Sequence, residues 1–213
     1  MTTTSDRKGR SAQAGPRLRR QAGFNLLELL VVLIILGVLL AVAFPSFRFV
    51  VNSSRITNPA NELLATMQLA RMEAIRRNAR TVVCRSQNPN AAAPTCTTAA
   101  GNWDGWVAFV DTNRDGAVTA GELVLRAVPM NAPATLVSSP AISGASNRVV
   151  FRPDGLARTP AGALLAARLR VCVPETTPSD NARDLTITQG SRLVVVRSTA
   201  VITSGACAAP ANP

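Results

Sequence analysis

Asp111, Asn113, Asp115 and Glu122 stand at the first, third, fifth and twelfth places of one twelve-residue stretch, with Gly116 at the sixth. That is the spacing of an EF-hand calcium loop, where hard oxygen ligands come from alternate positions and a glycine makes the sharp turn. Calcium is the one cofactor the sequence nominates. An EF-hand needs a helix on each side, however. Here Trp106-Val107-Ala108-Phe109-Val110 precedes and Leu123-Val124-Leu125-Arg126-Ala127-Val128 follows, and both read as strands. The same Asp, Asn and Gly residues also make a polar hairpin turn, and Arg114 within the loop leans toward that simpler reading.

Other chemistries are excluded by composition. The chain has no histidine, so an imidazole base, a histidine metal site and a Ser-His-Asp triad are all ruled out. It has no Gly-rich phosphate loop of the P-loop type. The chain reads as a non-enzyme. Its bases outnumber its acids by 23 to 12, and every base but Lys8 is an arginine. Arg168, Arg170, Arg183, Arg192 and Arg197 gather in the last quarter, and Arg192 and Arg197 bracket Leu193-Val194-Val195-Val196. Arginine forks suit phosphate, so Arg183, Arg192 and Arg197 are candidate DNA contacts. The plainer reading is charge that keeps a strand edge from aggregating. Trp103 and Trp106 flank Asp104-Gly105 and read as core residues beside a turn.

Cys84, Cys96, Cys172 and Cys207 make an even set, and neither spacing resembles a CxxC metal or redox pair. Two disulfides in an oxidising compartment fit this, with four buried thiols as the alternative. Of three connectivities, Cys84–Cys96 and Cys172–Cys207 are favoured, because each joins sequence neighbours across a loop.

The elements that must position these residues begin with a rod. Residues 1–23 are polar and carry six of the bases against one acid, which leaves +6 on the rest of the chain. Lys/Arg beside an apolar segment marks the cytoplasmic side. Residues 24–44 number 21 and hold a single charge, Glu28. That length crosses a hydrocarbon core as a helix at about 1.5 Å per residue. A carboxylate so deep in it is costly and calls for an opposite charge. Pro45 should kink or loosen the helix. Helical spacing resumes at Leu63, Met67, Ala70 and Ala74, with Asn58-Pro59 as a place where the helix restarts. The rod therefore spans residues 24–79. A secretory signal is the rival, with Ala41-Val42-Ala43 as its cleavage site. The long apolar run and Glu28 count against it.

From Thr81 the texture is that of antiparallel sheet, with expected strands at 81–86, 106–111, 122–128, 134–138, 147–152, 167–173, 185–189, 192–197 and 199–203. Residues 87–102 and 174–184 read as loops, and the tail 204–213 as fastened only at Cys207. No internal repeat is visible.

Gly23-Phe24-Asn25-Leu26-Leu27-Glu28-Leu29 resembles the prepilin processing signal of type IV pilins and type II secretion pseudopilins. The resemblance implies cleavage between Gly23 and Phe24 by a prepilin peptidase and N-methylation of Phe24. It also implies that Glu28 meets the N-terminal amine of a neighbouring subunit. The stretches LLATMQLARMEAIRRNARTVVCRS (63–86), GNWDGWVAFVDTNRDG (101–116) and GELVLRAV (121–128) make the whole chain similar to the GspH/FimT family of minor pilins and pseudopilins.

The expectation is then an α+β protein. A leader occupies 1–23, a transmembrane half-helix 24–44, a periplasmic half-helix 45–80, and a domain of two packed antiparallel sheets 81–213. It would be a single-pass protein of the bacterial inner membrane, with its N-terminus cytoplasmic and its domain periplasmic. Its role would be that of a structural subunit of a pilus or secretion pseudopilus. Its partners would be other pilins, met through the helix, and the inner-membrane assembly platform. FimT-like members bind DNA through a C-terminal Gly-Arg-x-Arg. This chain has Gly190-Ser191-Arg192-Leu193, which displaces the first arginine by one and omits the second until Arg197.

Overall fold

The computed structural model describes Gly23 and residues 25–213, the side chains of 42–46 excepted. The leader before Gly23 and Phe24 itself lie outside the described residues. The chain divides into two compact units, Met1–Ala43 and Phe44–Pro213.

Helix α1 runs from Leu26 to Arg77. In the first unit the backbone carbonyl of Asn25 accepts from Glu28 N and Leu29 N, and Glu28 lies in the first turn, where a helix dipole favours negative charge. The side chains from Leu26 to Leu36 are all exposed, Glu28 included. Among the described residues no helix is long and apolar enough to cross a membrane. The expected span, 24–44, begins with a residue and ends with side chains outside the described set.

In the second unit α1 is continuous through Asn58 and Pro59, so the restart expected there does not occur. A helix-interior proline costs about 3 kcal/mol. Burial on both sides offsets it: Ile56, Ala60 and Leu63 are at most 1% exposed. The stripe continues through Met67, Ala70 and Ala74, all buried. Asn78, with φ of 49°, ends the helix in the left-handed conformation that asparagine tolerates.

Eleven short strands follow, with one turn of helix among them. β1 (Thr81–Arg85), β2 (Gly105–Val110), β3 (Val124–Pro129), β5 (Arg148–Phe151) and β6 (Ala157–Arg158) form a sheet in the order β3-β2-β1-β5-β6. β4 (Thr135–Ser138), β7 (Ala167–Cys172), β8 (Ala182–Ile187) and β9 (Leu193–Ser198) form a second, in the order β4-β7-β8-β9. All of these pairings are antiparallel. Helix α2 (Pro140–Ser143) joins the sheets, and β10 (Ile202–Thr203) pairs with β11 (Ala206–Cys207).

One core unites helix and sheets. Leu63, Met67 and Ala70 of α1 meet Val83, Trp106 and Phe151 of the first sheet and Leu136, Leu169 and Leu185 of the second. Strand residues alternate between faces, so Val82, Cys84, Val107 and Phe109 point the other way and are covered by Cys96, Val118 and Ala127. Both tryptophans are core, 1% and 0% exposed.

Two strand expectations and the one for the tail need correction. The strand placed at 185–189 is β8, at 182–187. Polar Asn181-Ala182-Arg183-Asp184 looked like a loop, but Asp184 pairs with Arg170 across the sheet and Ala182 packs beside Cys172. The strand placed at 199–203 shrinks to β10. The tail is held beyond Cys207, by Ala208 N donating to Val201 O and Ala141 N donating to Asn212 Oδ1.

Candidate functional site

Three places carry the residues singled out by sequence. The first is the start of α1. Gly23 is exposed, and a Cβ built on it would meet nothing within 4 Å. Phe24, its expected partner in processing, is outside the described residues. Asn25 Oδ1 accepts from Leu27 N at 3.4 Å, a side-chain cap at the helix start. Among the described residues no cation pairs with the exposed Glu28.

The second is the loop between β2 and β3. Asp111 is buried at its base, Asp115 is exposed and Glu122 is half-buried, and one carboxylate oxygen from each lies within 4.8 Å of the others. Asp111 Oδ2 takes a 2.9 Å ion pair from Arg80 Nε and a hydrogen bond from Gly116 N. Asn113 Oδ1 accepts from Asp115 N, and Asp115 Oδ1 accepts from Ala117 N. Glu122 accepts from the N–H groups of Thr112 and Thr119 at 2.8 and 3.1 Å.

Burial pushes the Asp111 carboxyl up, against the pull of Arg80. Burial works the same way on Glu122, but the Thr119, Thr112 and Asn113 donors outweigh it and hold that carboxyl down. Gly116 has φ of 73°, a conformation that favours glycine, and lies against the Arg148 guanidinium. Four of the expected ligand residues thus share one loop, flanked by strands. Arg80 and Arg148, which border it, come from elsewhere in the chain and had no signal in the loop's own pattern.

The third place is the arginine set, and it does not form a stripe. Arg183 is opposite Arg197 in the β8–β9 register. Arg183 is only 5% exposed, and its Nη1 is spent on the carbonyls of Asp180 and Ala182. Arg197 is exposed and shares Asp180 with it, at 3.7 Å. Arg192 is exposed just before the start of β9. Arg170 makes a two-pronged pair with Asp184, at 2.7 and 2.8 Å. An unforeseen feature adjoins this end of the helix. A groove of about 620 Å³ lies between α1 and the end of β3, lined by Val50, Val51, Pro59, Val128 and Pro129. Its walls are far apart in sequence, so no local pattern could announce it.

Residues 59–203 match the family model described as Type II transport protein GspH. The chain belongs to the GspH family. Residues 18–44 match the prokaryotic N-terminal methylation motif, the region of Gly23, Phe24 and Glu28. No curated protein is significantly similar to this GspH-family chain. Two crystal structures of the type IV minor pilin FimU of Pseudomonas aeruginosa are similar to it, each at 20% identity. The match to one covers 66% of this chain and 92% of the crystallised FimU chain, with a TM-score of 0.47. The other covers 68% and 90%, with a TM-score of 0.48.

Proposed function

We propose that this GspH-family chain is a minor subunit of a type IV pilus or a type II secretion pseudopilus, acting in filament priming or at its tip. The observation that carries the reading is the junction in one chain of an N-terminal methylation motif at 18–44 and a GspH match at 59–203. Cleavage after Gly23 by a prepilin peptidase frees the amine of Phe24, which is then methylated. The apolar run 24–44 anchors the chain once in the bacterial inner membrane, with the β-rich domain in the periplasm. Glu28 is relieved there by the N-terminal amine of an adjacent pilin. The assembly platform of the inner membrane draws the subunit into the filament through this helix.

The test is incorporation. Filaments sheared from cells and probed for this subunit should contain the wild-type chain. The Glu28→Ala chain should be absent from them while accumulating in the membrane. Equal incorporation of both would overturn the role given to Glu28.

DNA binding for uptake in natural transformation is the weaker reading. Arg192 and Arg197 are exposed. Arg197 lies in β9 and Arg192 just before it, five residues and at most about 17 Å away along the chain, and Arg183 is buried. A salt-dependent gel shift lost in an Arg192→Ala, Arg197→Ala double variant would establish a DNA role, and no shift at low salt would remove it.

A further inference from the structure

We infer that the β2–β3 loop binds one calcium ion through Asp111, Asn113, Asp115 and Glu122. The inference stands apart from the filament role and would survive its failure. Acidic residues gathered in a turn would not carry it alone. What carries it is a single atom: Asp111 Oδ1 is buried, in a side chain with no exposed surface, and has no hydrogen-bond partner. A buried carboxylate oxygen left unpaired is costly, and a hard cation is the partner that suits it.

The other half of the carboxylate is already placed. Oδ2 is turned to Gly116 N and Arg80 Nε, so Oδ1 is the oxygen left to ligate. One carboxylate oxygen from each of Asp111, Asp115 and Glu122 lies within 4.8 Å of the other two. Four candidate side chains fall at the first, third, fifth and twelfth places, and the sixth is a glycine. Coordination by oxygen alone, from a loop of alternating ligand positions, suits calcium better than magnesium, which demands near-octahedral geometry and gives up water reluctantly.

Arg80 and Arg148 set the strength. Arg148 Nη1 is 3.5 Å from the Asp115 carbonyl, and Arg80 Nη1 is 3.3 Å from that of Arg114. Their charge opposes a divalent cation, and Glu122 must exchange N–H donors for the metal. The site therefore belongs with the weak sites of extracellular modules, with Kd of about 0.1–1 mM, rather than with cytosolic sensors.

The test is calorimetric titration of the full chain in detergent micelles with calcium chloride, after dialysis against chelator, with magnesium chloride in parallel. Asp111→Asn would disturb the Arg80 pair and the fold, so the deciding variants are Asp115→Asn, whose residue is exposed, and Glu122→Gln. Asp154→Asn, a carboxylate outside the loop, is the charge control. One saturable calcium site is expected, weakened at least about tenfold in Asp115→Asn and Glu122→Gln and unchanged in Asp154→Asn. Any one of three results would overturn the inference: no saturable binding up to about 10 mM calcium, the same Kd in Asp115→Asn as in wild type, or equal binding of magnesium.

Discussion

Trp106 donates its indole N–H to Thr66 Oγ1 at 3.1 Å, and both residues are fully buried. The Thr66 hydroxyl in turn donates to Glu62 O, one turn back along α1. The hydroxyl thus serves as acceptor and donor at once and joins the helix to the first sheet by a polar contact inside an apolar core. From Ile56 onward the helix packs on the domain through this contact and the apolar stripe around it.

Replacing Thr66 with valine keeps the shape and leaves the Trp106 N–H unpaired. That should cost about 1–3 kcal/mol, the desolvation penalty of an orphaned donor. Urea denaturation monitored by tryptophan fluorescence measures it. Thr66→Ser, which keeps the hydroxyl, should recover most of the loss. A Thr66→Val chain as stable as wild type would show that the contact contributes nothing.

The two disulfides, Cys84–Cys96 and Cys172–Cys207, span 12 and 35 residues. By loop-closure entropy they contribute about 3 and 4 kcal/mol respectively. Cys84–Cys96 ties loop 87–102 over the outer face of the first sheet, and Cys172–Cys207 ties the tail to β7. Paired Cys→Ser substitutions should lower stability in that order, the second pair costing more. Peptide mapping without reductant should recover these two linkages alone.

Glu73 accepts from Arg76 at 2.7 and 2.9 Å and from Arg77 at 2.6 Å. The Arg76 and then the Arg77 hydrogen bonds lower its carboxyl from 4.5 to about 2. A carboxyl depressed on folding contributes above its unfolded pKa and loses that contribution as pH falls through the folded one. The contribution of Glu73 is therefore intact above about 4.5 and fades toward about 2. Glu73 is half-buried under its own two arginines on the helix surface, so its effect on overall stability is small. Carbon-detected NMR titration should place its midpoint near 2, and Arg76→Gln should raise it.

Much of this was legible in the sequence, and the reasons are local. Leu63, Met67, Ala70 and Ala74 repeat at helical spacing and form the buried stripe. The strands β1, β2 and β7 are apolar enough to declare themselves. Asp111 to Glu122 are close in sequence, so their meeting in one loop followed from spacing. Pro59 misled, because the local cost of proline is visible in sequence while the distant burial that offsets it is not. Asp184 and Arg183 misled in the same way. Each is a polar residue in a strand, satisfied by a partner from another strand or by backbone carbonyls, and only the folded register reveals that. Arg80, Arg148 and the groove along α1 depend on contacts between remote segments.

The account turns on whether the apolar rod stays with the domain after processing. Intact-mass and N-terminal peptide mass spectrometry of the protein purified from its own membranes tests this directly. A mature chain beginning at N-methylated Phe24 is the predicted result. A chain beginning at Phe44, cut after Ala41-Val42-Ala43 with the rod removed, would contradict it.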